Sequence, residues 1–214
     1  MLNIEIFHST MCDNCFIMSA RLKKITDKYK NIAITHRSHP LRWDEDHVDE
    51  TLKTKEEERA DMLRKWGTAN RIDDDQRFNI EGIKHTNFDE PYARLSMIAI
   101  RAGVLAGGNA WDLFDLFQEA IYMKNRNIGD EEVIAQLIEE TELDFRTWLT
   151  YYEDPKTEAL EIKDFKLVEE YGLDLVPAMV IEKKHIIEGT KRLDLAKDLI
   201  IKAATAEGIQ LIEK

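Results

Sequence analysis

Apolar and polar residues alternate over Asn3-Ile-Glu-Ile-Phe7, and from Cys15 to Tyr29 the apolar positions Met18, Leu22, Ile25 and Tyr29 recur at helical spacing. A short strand therefore runs into an amphipathic helix. Asn31-Ile-Ala-Ile-Thr-His36 alternates again and stops at His39-Pro40, since proline cannot donate to a ladder. Residues 1–40 thus predict a β-α-β unit.

The character then changes. Asp44-Glu-Asp46 and Asp49-Glu50 precede Thr54 to Trp66, a charged stretch whose apolar residues are Ala60, Met62, Leu63 and Trp66, which predicts a largely solvated helix. Gly67 to Gly82, holding Asp73-Asp-Asp75, reads as a loop. Beyond it, Asp89 is placed to cap a helix with Pro91 as its second residue, ending at Gly107-Gly108. Asn109 caps a second, with Leu113, Phe114, Phe117, Ala120 and Ile121 on one buried face. Gly129-Asp130 starts a third and Asp144 a fourth. Short connections make these helices antiparallel neighbours, so residues 41–155 predict an all-helical insertion domain. The β pattern returns after a helix from Lys156 to Tyr171 that ends at Gly172. Ala178-Met-Val-Ile181 and His185-Ile-Ile-Glu188 form a hairpin about Lys183-Lys184, and Leu193 to Ala206 is a last amphipathic helix. The predicted class is α/β: β-α-β, helical insertion, α-β-β-α, with 1–40 and 156–214 as one discontinuous domain.

Composition narrows the partners. A net charge of -12 repels nucleic acid and anionic membrane surfaces. No apolar run approaches the ~18 residues that span a bilayer. Met1 to Phe7 lacks a basic leader and carries Glu5, so it does not read as a signal peptide, and a cytoplasmic location is expected.

The two cysteines change the picture most. Two cysteines are ordinarily inert packing residues, yet random placement would set them three apart only about once in a hundred, and CxxC is the spacing of a redox motif. Here Cys12-Asp-Asn-Cys15 falls where strand gives way to helix. Unpaired amides and the positive end of the helix dipole stabilise a thiolate there, which makes Cys12 the candidate nucleophile. Cys15, one turn later, is placed to resolve a mixed disulfide. His8 at the strand end is a candidate for adding positive charge, and Asp13 opposes it as a carboxylate beside the thiolate. A cis Val176–Pro177 bond before the third strand would face the dithiol and turn the Val176 amide and carbonyl toward an extended substrate. Cys12, Cys15, His36 and His39 nominally offer four metal ligands. His36 and His39 are too closely spaced, and strand alternation sends them to opposite faces, so no metal is expected.

Taken together, Ile4-Glu-Ile-Phe leading to Cys12-Asp-Asn-Cys15, the Asn127-Ile-Gly-Asp130 helix entry, and Gly172-Leu-Asp-Leu-Val-Pro177-Ala-Met-Val-Ile181 resemble the DsbA-type thioredoxin-fold oxidoreductases, in particular their FrnE-like cytoplasmic subgroup. The resemblance implies a thioredoxin fold with a helical insertion and exchange of disulfides by Cys12 and Cys15 opposite Pro177. It implies no cofactor, and thiol- or disulfide-containing proteins as partners, with glutathione binding left open. Asp13 and Asn14 stand where relatives usually have proline and an aromatic. A competing expectation on the same fold is a redox-sensing or protease-adaptor module whose insertion binds a partner.

Overall fold

The computed structural model describes residues 1–47 and 54–214, so Asp49-Glu50 lies outside the described residues. Strand β1 (Leu2–His8) leads into helix α1 (Asp13–Thr26) and then β2 (Ile32–Ser38). Among the described residues a short 3-10 turn (Glu45–His47) and six α-helices follow: α2 (Lys55–Ile72), α3 (Ile80–Lys84), α4 (Arg94–Leu105), α5 (Ala110–Tyr122), α6 (Glu131–Glu139) and α7 (Phe145–Tyr152). Helix α8 (Pro155–Tyr171), the hairpin β3 (Ala178–Ile181) and β4 (His185–Glu188), and α9 (Leu193–Ala206) complete the chain. The sheet order is β2-β1-β3-β4, with β1 parallel to β2 and antiparallel to β3. Phe7 pairs with Ala178, which puts the start of β3 beside the end of β1.

Alternation along β1 divides the core. Ile4 and Ile6 pack with Met18, Leu22 and Ile25 of α1 and with Ala196 and Ile200 of α9 on one face of the sheet. Phe7, Ala178 and Val180 meet Val168 of α8 on the other. Helix α1 also turns Phe16 and Ile17 into the largest cluster, which contains Trp66, Met97, Phe114, Phe117, Tyr122 and Trp148 from the helical segment. It is therefore buried on two sides, and its N-terminus sits where sheet and helical segment meet.

Two expectations are corrected. Helix α2 continues through Gly67 to Ile72 where a loop was read. A complete Thr54–Glu57 capping box starts it, and burial of Trp66 and Ala69 outweighs the ~1 kcal/mol that an interior glycine costs. Helix α4 starts at Arg94 and not after Asp89, whose carboxylate instead pairs with Lys55 at 2.5 Å. The amides of Ala93 and Arg94 donate to the carbonyls of Arg42 and Trp43, so a neighbouring loop does the work of a local cap.

Gly172 ends α8 in the left-handed conformation (φ 62°, ψ 46°), and an added Cβ would meet nothing within 4 Å. Gly172→Ala is therefore expected to cost ~1 kcal/mol through backbone strain alone, read as a lowered urea midpoint with an unchanged slope. A stabilised alanine variant would contradict this account.

Candidate active site

The turn Ser9–Cys12 joins β1 to α1, and Cys12 is the helix N-cap in extended conformation. Its Sγ accepts the Cys15 amide at 3.0 Å, and its carbonyl accepts the amides of Cys15 (3.0 Å) and Phe16 (3.2 Å). Cys12 and Cys15 are joined as a disulfide with Cα atoms 5.1 Å apart. Both are buried, at 3% and 2% exposure, yet Cys12 lines a cleft of about 320 Å³ whose walls include Trp66, His39, Leu175 and Val176. Cys12 thus borders this cleft, while Cys15 lines a separate small cavity.

Charges of both signs surround that cleft. Burial pushes the Asp13 carboxyl up, and the Asn14 amide, which donates to it at 2.6 Å, and Lys65 pull it back. Glu90 is likewise raised by burial and partly restored by Arg42, 3.4 Å away. Burial lowers His39 to about 4, with Glu188 opposing. A raised Asp13 is more easily neutral, which weakens the penalty a carboxylate imposes on the neighbouring thiolate.

His8, a candidate for lending positive charge, lies in surroundings that disfavour its charged form. His8 is stacked on Phe114 with ring centroids 3.5 Å apart, and its Nε2 lies 3.3 Å from Nδ1 of His36. Burial first, then the His36 and Arg101 charges, hold its pKa well below the usual value. His36 is lowered to about 4 by the same causes, burial and Arg101. An imidazole held this way is more easily neutral, which weakens His8 as a source of countercharge. His8 nonetheless lines, with Cys15, His36 and Pro177, a cavity of about 10 Å³ behind the dithiol.

Opposite the cysteines, the Val176–Pro177 peptide bond is cis. The approach to it is held from β4: a Glu188 carboxylate oxygen accepts the amides of Asp174 (2.7 Å) and Leu175 (2.8 Å). Pro177 gives its carbonyl to the Gly189 amide at 2.8 Å, whereas no described residue engages the backbone N–H or C=O of Val176. Leu175 is 59% exposed at the mouth of the cleft. Thr190 ties this side to α1 by donating to the Asn14 side chain at 2.8 Å.

Sequence reading missed the residues that the helical segment brings here. Arg42, Glu58, Lys65, Trp66 and Glu90 line the cleft. Gln118 of α5 donates to the Cys12 carbonyl at 3.1 Å and to that of Ser9 at 3.4 Å, and Tyr122 donates to the Thr10 carbonyl at 3.3 Å. A signal for Gln118 existed: it follows Phe114 by four residues and precedes Tyr122 by four, a polar side chain on an otherwise apolar stripe. Among the described residues no group of three or more His, Cys, Asp or Glu side chains is arranged to hold a metal, and no helix is long and apolar enough to cross a membrane.

No curated protein matches the sequence. Solved structures do match it at the level of the fold. A candidate protein disulfide isomerase from Nitrosomonas europaea superposes with a TM-score of 0.76 at 14% identity, covering 96% of this chain and 98% of that one. The cytosolic disulfide reductase DsbM from Pseudomonas aeruginosa, solved with GSH, gives 0.68 at 14% identity with the same coverage of 96% and 98%. Reduced DsbA1 from Neisseria meningitidis gives 0.59 at 16% identity, covering 97% and 85%. Residues 3–200 match the family model of the DSBA-like thioredoxin domain, and with the dithiol at the start of α1 and the β2-β1-β3-β4 sheet behind it, the chain belongs to that family.

Proposed function

We propose that the protein is a thiol–disulfide oxidoreductase and isomerase acting on protein or small-thiol disulfides, with Cys12 as nucleophile and Cys15 as resolving thiol. The observation that carries this is the N-cap geometry: Cys12 Sγ accepts an amide at the positive end of α1, and Cys12 lines the cleft. In the reducing direction the Cys12 thiolate attacks one substrate sulfur, forming a mixed disulfide and expelling the other sulfur as a thiolate. Cys15, losing its proton, then attacks Cys12 Sγ and releases the second substrate thiol. Two electrons have left the dithiol, and no further cofactor is required. The reverse sequence oxidises a dithiol substrate.

Val176 and Pro177 are the proposed substrate contacts. The unengaged amide and carbonyl of Val176 suit pairing with an extended peptide by strand addition. Residues 41–155 act as a lid in this reading, supported by the placement of Arg42, Lys65, Trp66 and Glu90 on the cleft wall. Glutathione is a reasonable small-thiol partner because the DsbM structure was solved with GSH, and the cytosolic setting of that protein accords with a cytoplasmic role.

Insulin reduction with dithiothreitol or glutathione as electron donor tests the reading, alongside reactivation of scrambled ribonuclease. Turnover in the first supports the oxidoreductase, and recovery in the second adds the isomerase. Absence of both would sink the enzyme assignment and favour a module that uses the dithiol only as a switch.

A further inference from the structure

The α5 face that covers the dithiol turn carries a buried polar group that the exchange steps leave unused. Gln118 is fully buried, in the helix whose Phe114 and Phe117 build the main core. Its Nε2 donates to the carbonyls of Ser9 and Cys12, the two ends of the turn that presents the nucleophile. Among the described residues its Oε1 has no hydrogen-bond partner. A buried amide with one end unpaired costs free energy that an apolar residue of the same shape would avoid. Flipping the amide would be worse, since Oε1 would then face two carbonyl oxygens, so its orientation is locked.

We propose that Gln118 is a positioning residue for Cys12, stabilising the thiolate by donating to the carbonyls of Ser9 and Cys12. This deepens the oxidoreductase reading and rests on it for its biological meaning. The Cys12 carbonyl already accepts two backbone amides, so Gln118 is a third donor at the same oxygen. Each donor draws negative charge away from the carbonyl of the residue that carries the sulfur. In a site where Cys12 is almost wholly out of water, such fixed dipoles act with little screening. The donor comes from the helical segment and the sulfur from the β-α-β segment, so the bond also couples the packing of α5 to the chemistry of the dithiol.

Gln118→Met keeps the length and removes the donor, while Gln118→Glu keeps the polarity and places a carboxyl against the two carbonyls. Thiolate absorbance at 240 nm of the reduced protein, followed against pH, reads the Cys12 pKa whether or not any substrate is turned over. Gln118→Met is expected to raise that pKa by about one unit, a tenfold loss of thiolate below it. The equilibrium with glutathione should move by a similar factor toward the oxidised protein, because the thiolate stabilises the reduced form. Gln118→Glu should shift both in the same direction at neutral pH and serves if the methionine variant folds poorly. A lowered urea midpoint with the thiol pKa and the glutathione equilibrium unchanged in both variants would overturn the proposal and leave Gln118 a packing residue. Failure of insulin reduction with the pKa shift present would instead remove the enzyme reading and keep the positioning role.

Discussion

Cys12→Ser is expected to bring disulfide exchange down to the uncatalysed background, whereas Cys15→Ser should keep the first attack and stop at the mixed disulfide. The asymmetry follows from the site. Cys12 lines the cleft, and its Sγ has the Cys15 amide at 3.0 Å to stabilise its charge. Cys15 lines the small cavity shared with His8 and Pro177 and is 2% exposed, so it is placed to act on Cys12 after Cys12 has engaged a substrate. A serine hydroxyl at position 12 keeps the hydrogen bond but is not ionised near neutral pH, so no nucleophile remains. Incubation of each variant with a disulfide-bonded substrate, then non-reducing electrophoresis and mass spectrometry, separates the two. A covalent adduct should accumulate with Cys15→Ser and be lost on adding dithiothreitol. If Cys12→Ser forms that adduct instead, the roles of the two cysteines are reversed.

Much of this arrangement was legible in the sequence because it is carried by local rules. Alternation locates β1 and β2, Asn109, Asp130 and Asp144 mark the starts of their helices, and Gly172 closes α8, all as observed. The failures share one cause. Helix α2 persists through Gly67 because Trp66 and Ala69 are buried against other helices, and α4 begins at Ala93-Arg94 because a loop fifty residues earlier supplies its acceptors. Neither effect is encoded within a local window.

The site divides in the same way. The dithiol and Pro177 stood out because spacing and position mark them. His8 stands out for its charge, but its environment is set by partners distant in sequence: it stacks on Phe114, and burial first, then His36 and Arg101, lower its pKa. Arg42, Lys65 and Glu90 carry no local signal and become cleft residues only once the helical segment folds over α1.

Arg101→Met should have the largest effect on stability, a loss of roughly 3 kcal/mol near neutral pH. Arg101 of α4 donates to Glu161 and Asp164 of α8, each at 2.5 Å, and those carboxylates are 1% and 3% exposed. Asp164 also takes Arg37 of β2 at 3.1 Å, and Arg37 reaches Glu5 of β1 at 2.7 Å, so the network joins helical segment, α8 and sheet. Methionine fills the space but leaves Glu161 buried without its countercharge, while Arg37 still holds Asp164, which places the cost at the lower end of the range for a broken buried pair. The pH dependence gives a sharper test. Burial already raises the Glu161 carboxyl, and Arg101 heads the influences that lower it. Without that guanidinium the folded protein keeps a proton on Glu161 at pH values where the unfolded chain, with a carboxyl pKa of about 4.3, has lost it. Wherever the folded state binds more protons, stability falls as pH rises. The variant should therefore lie closest to the parent protein below about pH 4.3 and fall further behind as pH climbs through the raised folded value. Urea unfolding of both proteins at pH 5 and pH 8 measures this directly. A deficit that is the same at both values, or greater at pH 5, would mean that lost packing and not an uncompensated carboxylate is responsible.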